Sequence, residues 1–208
     1  MSGPDLVHYL EEFRREVKLE KEQLGVLEMF VKWMQRQEGE KKAAGAKNWE
    51  GLLEDIYRRV ENYLSKRGLA VQCWSAARWG KPNGSALCLV PSHWREDIFY
   101  RLCRTQLRKG PFSGKKILLA ELVLDGHKHS FFLPLLEHLA AMERRLGHRI
   151  ERESPRVEQT GKYRFRLCFP VGEEGLTEYE REKIARTVAD FILISGEYVE
   201  RARDAKTG

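Results

Sequence analysis

One carboxylate and one cluster of cations are the residues of this chain best suited to chemistry. Glu121 interrupts an apolar run, with Ile117-Leu118-Leu119-Ala120 before it and Leu122-Val123-Leu124 after it. A carboxylate in such a run needs a partner, since burying it alone is costly. A divalent metal or an arginine could serve. A restriction-type nuclease places an acidic residue on one strand and Glu-x-Lys on the next, so that the carboxylates hold Mg²⁺ or Mn²⁺ and the lysine acts at the scissile phosphate. Here Glu121 is followed by Leu122-Val123, and Leu69–His93 contains no Asp or Glu. A nuclease built on Glu121 would therefore be degenerate, and an arginine neighbour explains the carboxylate more simply. His127 and His129 lie two apart beside Asp125. They would share one face of an extended segment, and they are the remaining candidates for metal ligands. A lone His-x-His beside a turn is usually plain surface. No Ser-His-Asp spacing, P-loop or Rossmann glycine pattern is present. The expectation is a non-catalytic protein with no cofactor, Mg²⁺ or Mn²⁺ entering only with the nuclease alternative.

The cations point elsewhere. The formal net charge is +6, and residues 1–48 hold nine basic and nine acidic side chains, so the surplus lies in residues 49–208. No acidic residue occurs from Ile98 to Ala120, whereas Arg101, Arg104, Arg108, Lys109, Lys115 and Lys116 are basic. Such a block favours a phosphate or another polyanion, the plain alternative being a solvated basic face. Arg78, Trp79 and Lys81 add two cations and a ring in a polar loop. Cations near phosphates and rings near bases are how single strands or flipped bases are held. Trp74 and Trp94 flank the same region, and at least two of the three tryptophans are expected in the core. Arg164 and Arg166 share one face of a strand and complete the expected surface, although Glu151 and Glu153 could equally pair with them across strands. The leading reading is a nucleic-acid-binding module, for DNA or RNA. Its rivals are a protein-interaction adaptor and the degenerate nuclease.

These residues must be positioned by elements that can be read from periodicity. Leu6, Leu10, Phe13 and Val17, then Leu24, Leu27 and Met34, predict a long N-terminal helical segment over 1–48 that ends in a Gly39–Gly45 linker. Its apolar face would pack on the chain, form a homodimer or, in the adaptor reading, take a protein partner. Trp49 to Lys66 predicts a second amphipathic helix, with Gly68 as its left-handed cap. Strands follow at Leu69–Ser75 and Ser85–Val90, joined through the turn signal Asn83-Gly84. Ser92 would cap a helix running to about Leu107, with Glu96 and Asp97 in its first turn. Lys116–Leu124 reads as a central strand covered on both faces. A helix is expected from about Leu133 to Leu146, then strands at His148–Glu153 and Tyr163–Phe169. Thr177-Glu178-Tyr179-Glu180 is a capping box opening a long final helix.

A similar phrase occurs twice in the sequence: Lys66-Arg67-Gly68 leads to Leu87-Cys88-Leu89-Val90-Pro91, and Arg145-Leu146-Gly147 leads to Leu167-Cys168-Phe169-Pro170. Read as helix–strand–strand–helix twice, over 49–108 and 131–204, it predicts an α+β fold. An antiparallel sheet would be packed by helices in a single domain, 49–208. Hydrophobic residues make up 42%, which suits a folded chain rather than a disordered one. Cys73, Cys88, Cys103 and Cys168 form no CxxC pair, and reduced thiols in the cytoplasm are expected. No signal peptide or ~18-residue apolar run is visible, so no membrane partner is expected.

Within Glu137–Arg201, the helix Leu136–Glu143, the Leu146-Gly147 break, Ile150 and Glu151 form a recognisable series. It continues through the strand Tyr163-Arg164-Phe165-Arg166-Leu167 and the final helix ending at Tyr198-Val199. This series resembles a bacterial and archaeal domain family of unknown function whose members often follow a PD-(D/E)XK-type nuclease domain. With the upstream helix and the strands from Leu69, the resemblance spans about residues 49–203. Family members often carry Trp where this chain has Arg149 or Ile150. The resemblance implies a nucleic-acid, restriction or defence setting and supplies no active site.

Overall fold

A computed structural model of the chain describes residues 49–75, 86–94, 97–106 and 113–207. Contacts divide the chain into two units, Met1–Lys47 and Asn48–Gly208, and every described residue belongs to the second. The expected N-terminal helix and its dimer or adaptor role lie outside the described residues.

Helix α1 (Trp49–Ser65) turns Leu52, Leu53, Ile56, Val60 and Leu64 inward at three- and four-residue spacing. It stops where Gly68 takes φ 78°, and Leu69 N–H reaches back to the Leu64 carbonyl at 3.0 Å. A side chain at that φ would be strained, so glycine sets the stop. Strands β1 (Val71–Ser75), β2 (Ala86–Pro91), β3 (Phe99–Gln106) and β4 (Lys116–Val123) follow as an antiparallel meander. The chain then makes a π-helical turn, Lys128–Phe132, and two short helices, α2 (Leu133–Glu137) and α3 (Leu139–Leu146). Gly147, at φ 65°, closes α3 as Gly68 closes α1. Next come β5 (Glu151–Arg152), a single turn α4 (Pro155–Glu158), β6 (Arg164–Val171) and the long helix α5 (Glu178–Thr207). Thr177 and Glu180 form the expected capping box at its start.

The six strands are ordered β1-β2-β3-β4-β6-β5, with every pairing antiparallel. The fold is α+β, with helices gathered on one sheet face. Leu53, Ile56 and Val60 of α1 share a cluster with Leu102, Leu118, Leu122, Phe165 and Leu167 of the sheet. Val188, Phe191 and Ile192 of α5 belong to the same cluster. The other face carries a smaller one of Ile117, Leu119 and Cys168, against which Cys103 packs. Strand β4 is central, and only Lys116 of its eight residues is exposed. Inside the core, Ser195 and Tyr100 satisfy each other: their hydroxyls are 2.8 Å apart, and Tyr100 also donates to the Ile192 carbonyl.

Four expectations need correction. The segment expected to be a helix from Ser92 is strand β3 from Phe99. Ser92 instead turns the chain, its N–H and hydroxyl both reaching the Ala70 carbonyl. Tyr100 and Leu102 alternate inward with Phe99, Arg101 and Cys103 on the opposite face, a period of two that β2 and β4 hold by flanking it. As a result, the first helix–strand–strand–helix unit does not form, and the expected repeat is not matched in the structure. Helix–strand–strand occurs at each sheet edge, but a strand follows β2 and a helix follows β6. The expected continuous helix from Leu133 is also broken at His138. Of the expected strand His148–Glu153, Glu151 and Arg152 pair with β6, and Pro155 removes a donor soon after.

Replacing Leu118, fully buried beneath the helices, by Ala should cost about 2–5 kcal/mol in urea unfolding. Tyr179→Ala, at a residue 76% exposed, should change stability by less than about 0.5 kcal/mol. Equal effects would contradict the packing described.

Candidate nucleic-acid interface

The basic residues separate into two groups when the register is applied. On the sheet face away from the helices, Arg101 lies opposite Glu121, and Glu121 lies opposite Arg166, which in turn faces Glu151. This row crosses four strands. Glu121 is 2% exposed. Arg101 Nε donates to its Oε2 at 2.7 Å, and Arg101 Nη2 donates to the same oxygen. Burial works against the Arg101 charge, but the Glu121 carboxylate outweighs it and raises the guanidinium's proton affinity. Arg166 Nη1 donates to both Glu153 oxygens, at 3.2 and 3.3 Å, and Nη2 to the Arg152 carbonyl. Arg164 binds Asp125 through Nη2 at 3.0 Å, and Asp125 also accepts the Tyr163 N–H. Arg101, Arg164 and Arg166 are thus occupied by carboxylates, not displayed as free cations. The sequence already held their partners. Pairing of Arg166 with Glu153 and of Glu121 with an arginine matches the structural alternatives weighed for them. Asp125, a turn residue close in space but remote in sequence from Arg164, carried no pairing signal.

Burial also makes two of the thiols less acidic. Cys168 donates to Glu151 at 3.6 Å, and burial, with the Glu151 charge next, pushes its thiol up to about 12. Burial likewise raises Cys73 to about 11. All four cysteines are free thiols.

The second group lies at one end of the sheet. Gln106 pairs with Lys116, and Lys116 with Val171. Gln106 donates its amide to the Gly114 carbonyl at 3.0 Å, which braces the hairpin close to Lys115. Arg104, Lys115 and Lys116 are exposed there. Arg104 lies over the Trp49 ring, 5.2 Å from its centroid. That contact gives the guanidinium a cation–π partner while Arg104 as a whole stays exposed. Among the described residues, no carboxylate lies within ion-pair distance of these three cations. Ser75 and Ala86, the near ends of β1 and β2, are at this same sheet end, since Ala86 pairs with Cys103. Arg78, Trp79, Lys81, Arg108 and Lys109 lie outside the described residues. Of the other tryptophans, Trp94 is buried against Tyr100 and Trp74 is half-buried.

The metal candidates do not converge. Glu121 faces Arg101. His127 Nε2 lies 3.1 Å from Asp97, and His129 is exposed on the π turn. Among the described residues, no three His, Cys, Asp or Glu side chains come together as metal ligands. No described helix is long and apolar enough to cross a membrane. Comparisons of the chain with protein-family models, with curated proteins and with solved structures found no match.

Glu121→Ala would leave Arg101 buried and uncompensated, and should lose about 3–5 kcal/mol in urea unfolding. The pair Glu121→Ala with Arg101→Leu should recover much of that loss. A single mutant as stable as the parent would remove the ion pair from the account. In thiol labelling at pH 8, Cys168 should react only when the protein is unfolded by denaturant. Fast labelling of native Cys168 would contradict its burial.

Proposed function

We propose that the chain is a non-catalytic nucleic-acid-binding module that acts through the basic end of its sheet. The observation that carries this reading is the exposure of Arg104, Lys115 and Lys116 together at the β3–β4 end, within a stretch, Ile98–Ala120, that has no acidic residue. Glu173 and Glu174 follow Val171, the strand partner of Lys116, yet none of the three cations has a carboxylate within ion-pair distance among the described residues, and cations so placed attract a polyanion and release its counterions. The pairing of Arg101, Arg164 and Arg166 with carboxylates moves the binding surface from the sheet face to the sheet end. A restriction-related setting remains what the family resemblance implies, and it fits a module that holds nucleic acid for a separate catalytic partner. Glu121 supports no second, nuclease reading, because its Oε2 is held by the Arg101 guanidinium.

Affinity for a labelled oligonucleotide should fall steeply with salt, the logarithm of the binding constant dropping linearly with that of salt concentration. Lys115→Gln with Lys116→Gln should weaken binding of all sequences alike and reduce the magnitude of that slope by about 2. Absence of binding to any duplex or single strand at low salt would overturn the proposal.

A further inference from the structure

Helix α3 ends beside a shallow depression of about 510 Å³, lined by Ala140, Glu143, Arg144, Gly147, His148 and Arg149. The His148 ring lies flat on Phe169, centroids 5.3 Å apart and planes 8° from parallel. Phe169 is anchored in the core on β6, so the two rings form a fixed stack with His148 on the side of the depression. Burial, and after it the Lys183 ammonium, lowers the proton affinity of His148. An uncharged flat ring at neutral pH is the result. The one carboxylate in the lining, Glu143, accepts the Ile150 N–H at 2.8 Å and so is turned to the backbone. Arg144 and Arg149 are exposed, and among the described residues neither has a carboxylate within ion-pair distance. A cation in the last turn of a helix offsets its dipole, which accounts for Arg144. It does not account for Arg149, which follows the Gly147 cap.

The depression belongs to the same end of the sheet as the lysines. Phe169 lies opposite Leu118, and Leu118 opposite Arg104. At ~4.8 Å between strands, the Arg104 and Phe169 backbones are roughly 10 Å apart along that row, with Leu118 buried between them. We propose that the depression is a nucleotide subsite, in which a single-stranded nucleic acid lays one base on His148 and its adjoining phosphates against Arg144 and Arg149. This rests on the reading of the basic sheet end as a nucleic-acid surface, and narrows it to single strands. A base within a duplex has both faces already stacked, whereas an unpaired base offers a free π-face to the ring.

The test compares a labelled oligothymidine of about ten nucleotides with an abasic strand of equal length and charge, by fluorescence anisotropy. The parent protein should bind the thymidine strand about tenfold more tightly. His148→Ala should erase that ratio by weakening the thymidine strand, and His148→Phe should keep it. Arg149→Glu should weaken both strands. Melting followed by circular dichroism identifies any variant that fails to fold, and the Phe and Arg149 variants then carry the comparison. Equal binding of both strands by the parent, or a ratio that survives in His148→Ala, overturns the subsite. In that case the reading of the basic sheet end stands, provided Lys115 and Lys116 replacement still weakens binding. No binding of any strand overturns both. Competition by free thymidine monophosphate at concentrations that match the oligonucleotide would also overturn the assignment to a strand.

Discussion

The Arg101–Glu121 ion pair constrains this domain more than any other contact. A carboxylate on the central strand of a sheet can persist only if a cation is brought to it in fixed register. The pairing of Arg101 with Glu121, and of Glu121 with Arg166, ties β3, β4 and β6 together. A slip of one residue along β4 would place Glu121 among the leucines under the helices and Leu122 among the arginines. The ladder therefore specifies alignment, while the apolar cluster supplies the driving force. It also decides which cations reach solvent. The arginines nearest the middle of the sheet are neutralised by their neighbours, whereas Arg104, Lys115 and Lys116 at the sheet end have no carboxylate within ion-pair distance among the described residues.

Much of this was legible in the chain. The α1 stripe, the cap at Gly68, the central strand around Glu121 and the capping box at Thr177 are local signals, and each formed close to where periodicity placed it. Strand β3 was not legible. Ile98 and Leu102 share a helical face as readily as Tyr100 and Leu102 share a strand face, and a short apolar run cannot distinguish the two periods. Only the presence of β2 and β4 on either side settles it, and that information is tertiary. The helix–strand–strand–helix repeat failed for the same reason, since it required a helix after β2. The candidate site was legible in part. An acid-free span could be counted, but which of its cations were already paired depended on a turn aspartate and on carboxylates brought in across strands.

Helices α1 and α5 are joined by polar contacts in addition to their apolar faces. Arg59 reaches Asp55 on its own helix and Glu178 and Glu182 on α5, and Tyr63 also donates to Glu182. Arg145 of α3 forms a two-pronged pair with Glu197 of α5, both bonds 2.8 Å. Exposed pairs of this kind contribute little individually. Their effect is directional: α5 is held along its length by two other helices.

The brevity of β5 bears on how this molecule meets copies of itself. An outer strand with a long row of unpaired amides invites another chain to add on, and that route leads to open-ended fibres. Two residues, one of them Arg152, followed closely by Pro155, offer almost no ladder to a newcomer. Growth of the sheet past that border is blocked, and a crowded solution of the protein is protected there from cross-β polymerisation.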